Sequence, residues 1–165
     1  DIKYRLYGLE PANNQGWRID ATEIFDEGLI YEDSLVKVEA FNVIHGNWPQ
    51  CFGFKFTTSD KVIVISGDTK PSENLIKWSK GADILIHEVY YHKAWEARTE
   101  FWKKYHQANH TSSLELADIA NAVNPKLLIC YHTLYWGGTD EDILTEIATR
   151  YQGKVVMGQD KTVYE

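Results

Sequence analysis

Short apolar runs alternate along the chain with longer segments in which apolar and polar residues mix. The β-branched and aromatic runs predict strands at 36–44, 51–58, 62–65, 82–90, 126–132 and 154–157. The mixed segments predict helices at 71–80, 113–123 and 140–151. Ser112 and Glu115 have the spacing of a capping box at the start of the second helix. A turn at 58–61 makes 51–65 a hairpin.

Strands that alternate with helices predict a layered α/β domain. No repeat, low-complexity segment or linker interrupts the pattern, so we interpret 1–165 as a single domain portion. The first 35 residues are mixed, with a turn-like stretch at 11–17. The aromatic, basic segment 91–109 is expected to be helical. It either packs its rings on the body of the protein or forms a lid or a dimer surface over a site.

Length and charge set outer bounds on partners. The 165 residues suffice for one domain with a real core. A net charge of −7 and a pI near 5.4 argue against a surface built for polyanions, although a local basic patch stays open. No apolar run approaches the roughly 20 residues that cross a bilayer, so we expect a soluble protein without a membrane partner. Cys51 and Cys130 form no metal-type cluster and no disulfide framework, and the chain begins with Asp1 and shows no signal peptide. The location therefore stays open, either cytoplasmic or periplasmic or secreted.

Polar side chains suited to metal binding or proton transfer follow three of the apolar runs. Asp68 follows VIVISG, Glu88 follows ADILIH, and His132 follows KLLICY. The carboxyl ends of adjacent parallel strands meet at one sheet edge, where α/β proteins place ligand sites. His110 comes just before the helix at 113–123. We therefore expect these residues to form one site, although each taken singly is also an ordinary turn or strand-end residue.

The chain resembles the second half of the metallo-β-lactamase superfamily, in the branch that contains ribonuclease Z and the arylsulfatase-type hydrolases. The resemblance rests on three motifs in order: SGDTKPSENLIKWSKGADILIHEVY, NHTSSLELADIA and PKLLICYHTLYWG. The upstream VKVEAFNVIHGNWPQCFGFKF fits the same branch, so the resemblance runs from about residue 23 to the end. It implies half of a four-layer αββα sandwich, in which two sheets pack face to face between helical layers.

The resemblance also implies a dinuclear metal site. Asp68 matches the aspartate that bridges two metal ions, and His132 matches the late histidine that binds the second ion. Zinc is the expected metal, with manganese or iron as alternatives, and a metal-bound hydroxide would attack the ester. His110 matches the histidine of a His-Ser-Thr-like loop and Glu88 the acid of a His-Glu-Ala-like motif, which implies a catalytic pair for proton transfer.

One departure from the family concerns the metal ligands. The family carries an early His-x-His-x-Asp-His cluster and a further histidine, which we expect upstream of this chain. No two of the six histidines are two positions apart, so the chain supplies at most two expected ligands. A catalytic zinc usually takes about three protein ligands. We therefore expect a missing N-terminal half on a separate or cleaved polypeptide, and this chain alone is not expected to be a stable domain. A metal-free relative is the alternative.

Substrate contacts and the reaction follow as expectations. His45 and Trp48 in IHGNWPQ and Trp136 after His132 are candidates for substrate binding, and a structural role is an equal alternative for each. The expected function is hydrolysis of a small-molecule ester, sulfate ester or phosphodiester. A tRNA 3′-processing endoribonuclease is a less favoured alternative, because the chain is acidic and has no basic, glycine- and proline-rich arm. A non-catalytic binding or scaffolding module on the same fold is the other alternative, and a homo-oligomer stays open.

Overall fold

The computed structural model describes residues 19–164 together with Tyr7, so the turn-like stretch at 11–17 lies outside the described residues. The strands are β1 (Gly28–Glu32), β2 (Lys37–Asn42), β3 (Phe52–Thr57), β4 (Val62–Ile65), β5 (Ile84–Tyr90), β6 (Leu127–Leu134) and β7 (Val155–Met157). The helices are α1 (Glu73–Ser79), α2 (His92–Glu96), α3 (Glu100–Asn109), α4 (Ser113–Val123) and α5 (Asp140–Ala148).

All seven of these strands form one sheet in the order β1 to β7. The pairs from β1 to β4 are antiparallel, and this part contains the predicted β3–β4 hairpin. The pairs from β4 to β7 are parallel, and helices connect these strands along the chain. The predicted α/β class is therefore confirmed, and β4, β5 and β6 are parallel neighbours, as the clustering of their polar residues requires.

Two segments differ from the sequence pattern. β1 was not predicted, because Leu29 and Tyr31 are exposed and only its pairing with β2 makes it a strand. The segment 91–109 forms two helices, α2 and α3, and not one. On α3, Phe101 and Tyr105 are exposed to solvent and do not pack into the core. Within the described residues, no helix has the length and apolarity needed to span a bilayer.

The main core lies between one face of the sheet and three helices. Its fully buried members include Val64, Leu75, Leu85, Leu116, Leu128, Ile143 and Ile147. On α4, the predicted capping box is present, since Ser112 accepts from the Glu115 backbone and the Glu115 side chain accepts from the Ser112 backbone. This cap satisfies N–H groups that would otherwise be unpaired at the helix start, and it fixes where α4 begins.

A second apolar cluster covers the opposite face of the same strands. Ile84, Leu127 and Ile129 form its buried part, and half-buried side chains surround them: Ile63, Ile86, Val156 and Tyr164. No described helix contributes a residue to this cluster. Alternation along each strand places these residues opposite the main core, so the sheet presents an apolar second face.

Candidate metal centre

The carboxyl edge of the parallel strands brings together the polar residues that follow them. Nε2 of His132 on β6 lies 3.3 Å from Oδ2 of Asp68, which follows β4. Nδ1 of His110, just before α4, lies 3.3 Å from Oε1 of Glu88 on β5. The rings of His110 and His132 are 6.0 Å apart between centroids. Two acid–imidazole pairs thus stand next to each other at this edge.

His132 reaches Asp68 because it occupies a bulge in β6. Glu88 pairs with Tyr131 and Val89 pairs with Thr133, so His132 is an extra residue opposite β5. Its φ of 43° lies in the left-handed region, which a non-glycine residue adopts at a cost of about 1–3 kcal/mol. A bulge redirects a side chain out of the regular alternation. The strained backbone at His132 therefore helps to direct its imidazole toward Asp68.

Glu88 is fully buried and ties two loops together. Its Oε1 accepts hydrogen bonds from the backbone N–H groups of Thr69 and Thr111, each at 3.1 Å, as well as facing His110. The Thr111 hydroxyl donates to the Thr69 carbonyl at 2.7 Å. Burial raises the pKa of Glu88, and the neighbouring His110 partly opposes this effect. Glu88 therefore sets the position of His110 relative to the loop that carries Asp68.

His45 joins the site at a position that we expected to contact substrate. Ligand atoms of His45, Asp68 and His110 all lie within 4.8 Å of one another. Nδ1 of His45 is 2.8 Å from the Asn109 carbonyl. A carbonyl only accepts, so Nδ1 is the donor in this bond and Nε2 is the ring atom that remains to bind a metal. Second-sphere hydrogen bonds of this kind orient imidazoles that bind metals.

The resulting donor set fits a divalent metal. Three imidazoles and one carboxylate are ligands that zinc accepts, and manganese or iron also bind such groups. Only two ligands were expected in this chain, yet four suitable side chains gather here. The strand-end argument could have found His45, because β2 points in the same direction as β4 and its apolar run ends at the same sheet edge.

The two tryptophans predicted to touch substrate lie in different surroundings. Trp136, with φ 45°, packs its ring 4.4 Å from the His106 ring and 5.7 Å from the Tyr90 ring. The Arg98 guanidinium lies 5.2 Å from the centroid of Trp136. Trp48 is 72% exposed and lines a groove beside α3. Trp136 is thus held in an aromatic cluster, whereas Trp48 is open to solvent.

The chain is similar in sequence to parts of several curated proteins. No family model matches the chain. Ribonuclease Z of Exiguobacterium sp. is 31% identical over 97 residues, which cover 58% of this chain and 30% of that protein. The zinc phosphodiesterase ELAC protein 2 homolog of Caenorhabditis elegans is 29% identical over 113 residues, which cover 68% of this chain and 12% of that protein.

Solved structures identify the fold. The metallo-β-lactamase fold protein YhfI from Bacillus subtilis superposes with a TM-score of 0.66 at 23% identity, over 83% of this chain and 52% of that one. The chain has the metallo-β-lactamase fold. The short form of human tRNase Z superposes with a TM-score of 0.58 at 22% identity, over 84% of this chain and 46% of that one. The metallo-β-lactamase resemblance inferred from the motifs is thereby confirmed.

The chain matches only part of the length of these proteins. The first curated relative is matched over about a third of its length, and the structures above over about half of theirs. Within the described residues, ligand atoms of His45, Asp68 and His110 lie close enough together to hold a divalent metal ion.

Proposed function

We propose that this chain provides part of the active site of a metal-dependent hydrolase that cleaves phosphodiesters. The observation that carries the proposal is the convergence of Asp68 and His132, at 3.3 Å, with His45 and His110 at the carboxyl edge of the sheet. Similarity to proteins named ribonuclease Z and zinc phosphodiesterase favours a phosphodiester over a carboxylic or sulfate ester.

Asp68, His132 and His45 are the residues that would hold the metal. Asp68 is the candidate to bridge two ions, because a carboxylate offers two oxygens. Bound divalent metal would supply a Lewis acid that polarises the ester and lowers the pKa of water. Two observations support this assignment. Nε2 of His45 remains to bind a metal, because Nδ1 bonds a carbonyl, and the strained backbone at His132 directs its side chain toward Asp68.

His110 and Glu88 form the proton-transfer pair of the proposal. Glu88 faces Nδ1 of His110, which leaves Nε2 as the atom that exchanges a proton with substrate. Because Glu88 also holds two backbone N–H groups, His110 has a fixed orientation. His110 would donate its proton to the leaving oxygen, and such assistance is typically worth about 10²–10⁴-fold in rate.

We further propose that a polypeptide outside this chain completes the centre. Two zinc ions would need about six protein ligands, which exceeds the three that this proposal assigns to the chain, namely Asp68, His132 and His45. The apolar second face of the sheet supports the same proposal, because no described helix covers this cluster of apolar side chains. Residues 1–165 expressed alone should therefore aggregate, and a cooperatively folding monomer would contradict the idea.

A tRNA 3′-processing endoribonuclease is the second candidate function, since the similarity includes several proteins named ribonuclease Z. The test uses the natural protein that contains these residues, loaded with zinc. It measures metal content and hydrolysis of bis-p-nitrophenyl phosphate, p-nitrophenyl acetate, p-nitrophenyl sulfate and precursor tRNA. Endonucleolytic cleavage of precursor tRNA with weak activity on the small diester would favour the second candidate.

Variants of the same protein test the metal assignment. Asp68→Ala should lose metal and activity together, whereas Asp26→Ala, an exposed acid outside the site, should keep both. Two metals retained in Asp68→Ala would refute the ligand assignment. A metal-loaded protein without activity on any of these substrates would leave the non-catalytic binding module as the better reading.

A further inference from the structure

An open groove of about 660 Å³ lies between the loop that follows β2 and helix α3. Trp48 and Pro49 line it from the loop, and Phe101, Lys104, Tyr105 and Asn109 line it from α3. Its volume is in the range of about 300–1,000 Å³ that is usual for small-molecule sites. Phe101, Lys104 and Tyr105 on the α3 side of this groove take no part in the candidate metal centre described above.

The groove adjoins the candidate metal centre. Gly46 and Asn109 line it, and they are the chain neighbours of His45 and His110. The His45 ring bonds the Asn109 carbonyl at 2.8 Å, and the Gly46 N–H donates to the Ala108 carbonyl at 2.9 Å. Gly46 has φ +57°, and a Cβ there would collide with the Asn109 side chain. The groove and the candidate metal centre therefore lie side by side.

The groove combines exposed rings with one cation. Trp48 and Phe101 are 72% and 71% exposed, and Tyr105 is 45% exposed. Among the described lining residues Lys104 is the charged one, and no acid accompanies it, although the chain as a whole carries a charge of −7. Exposed rings offer faces for stacking a planar group, and an ammonium attracts an anion next to it.

We propose that this groove binds a planar aromatic ring of the substrate next to the scissile ester, with Lys104 beside the substrate's anionic charge. The ring is either a nucleobase or a simple aryl group, since both present a flat π face. This inference rests on the proposed hydrolase function and adds the class of substrate to it. Trp48 and Phe101 then determine specificity, while the residues at the metal centre perform the reaction.

The test is equilibrium binding, measured by calorimetry on the zinc-loaded natural protein that contains this chain. The ligands are methyl phosphate, phenyl phosphate and adenosine 5′-monophosphate. Trp48→Ala and Phe101→Ala should each weaken binding of ring-bearing ligands by about 5- to 100-fold, as base stacking on aromatic side chains predicts. Methyl phosphate affinity should not change. Tyr31→Ala, which removes an exposed ring that pairs with Val38 near the start of β2 and does not line the groove, is the matched control and should change nothing.

Each outcome decides the proposal. If adenosine 5′-monophosphate binds more tightly than phenyl phosphate, the ring is a nucleobase. If these two ligands bind equally, and both bind more tightly than methyl phosphate, the ring is an aryl group. Equal affinity of all three ligands overturns the proposal, as would be found if the groove docks a protein. A variant that weakens methyl phosphate as much as the others also overturns it. Because binding requires no turnover, loss of hydrolysis with an intact ring preference would count against the proposed function alone.

Discussion

His87 is a buried base whose titration should make this fold unstable in acid. The residue is fully buried on β5, and its Nδ1 lies 2.7 Å from the Glu88 carbonyl. Its Nε2 has no hydrogen-bond partner in the part of the chain that the structure describes. Burial lowers the pKa of His87 to about 4, against about 6.5 in the unfolded chain. The folded protein therefore holds this imidazole neutral where the unfolded chain is already protonated.

The sign and size of the effect follow from linkage. Between pH 6.5 and pH 4 the unfolded state binds more protons, so the free energy of unfolding falls as the pH falls. The contribution is fully present above pH 6.5. At about 1.4 kcal/mol per pH unit, His87 should account for a loss of about 2 kcal/mol between pH 7 and pH 5, and about 3 kcal/mol by pH 4.

The assay compares the wild type with His87→Asn in the natural protein that contains this chain. Asparagine can keep the hydrogen bond to the Glu88 carbonyl but does not titrate. Urea unfolding at pH 7, 6 and 5, in chelator so that metal release does not contribute, gives the free energy of unfolding at each pH. The variant is expected to be less stable at pH 7 and to lose about 2 kcal/mol less on going to pH 5. Parallel pH profiles would refute the reasoning.

Three further predictions concern the site and its supports. His132→Asn should reduce zinc affinity. His132→Val should reduce it too and should also lower the unfolding free energy by about 1–2 kcal/mol, because a β-branched residue tolerates positive φ poorly. Equal melting temperatures of the two variants would contradict this. His110→Ala should reduce turnover without changing metal content, and the reduction should be larger for substrates with poor leaving groups than for nitrophenyl esters. Glu88→Gln should show the same pattern more weakly. Equal slowing of both substrate classes would show that His110 only positions the substrate. Ser112→Ala should cost about 1 kcal/mol in urea unfolding through loss of the α4 cap, and a change below about 0.3 kcal/mol would show the cap to be dispensable.

Local pattern was enough to predict the strands of the parallel half of the sheet and to place Asp68, Glu88 and His132 at one of its edges. The apolar runs of β4, β5 and β6 specify strands, since such runs stay buried only in a covered sheet. Once these strands lie parallel and adjacent, Asp68 and His132 must come to the same edge. The capping box at Ser112 is equally local, because its hydrogen bonds join residues three apart.

Tertiary structure alone decided the features that depend on distant segments. His45 bonds Asn109 across 64 positions, and that contact fixes the orientation of the His45 ring at the centre. The bulge at His132 exists only in the register between β5 and β6, which a single strand's sequence does not contain. The exposure of Phe101 on α3 is also a tertiary result, because periodicity indicates which residues share a face but not what that face meets. Residue spacing indicates which element forms and which residues share a face. The register of paired strands and the approach of two loops each depend on two segments, and they determine how the side chains of the candidate metal centre are placed and where the groove beside it lies.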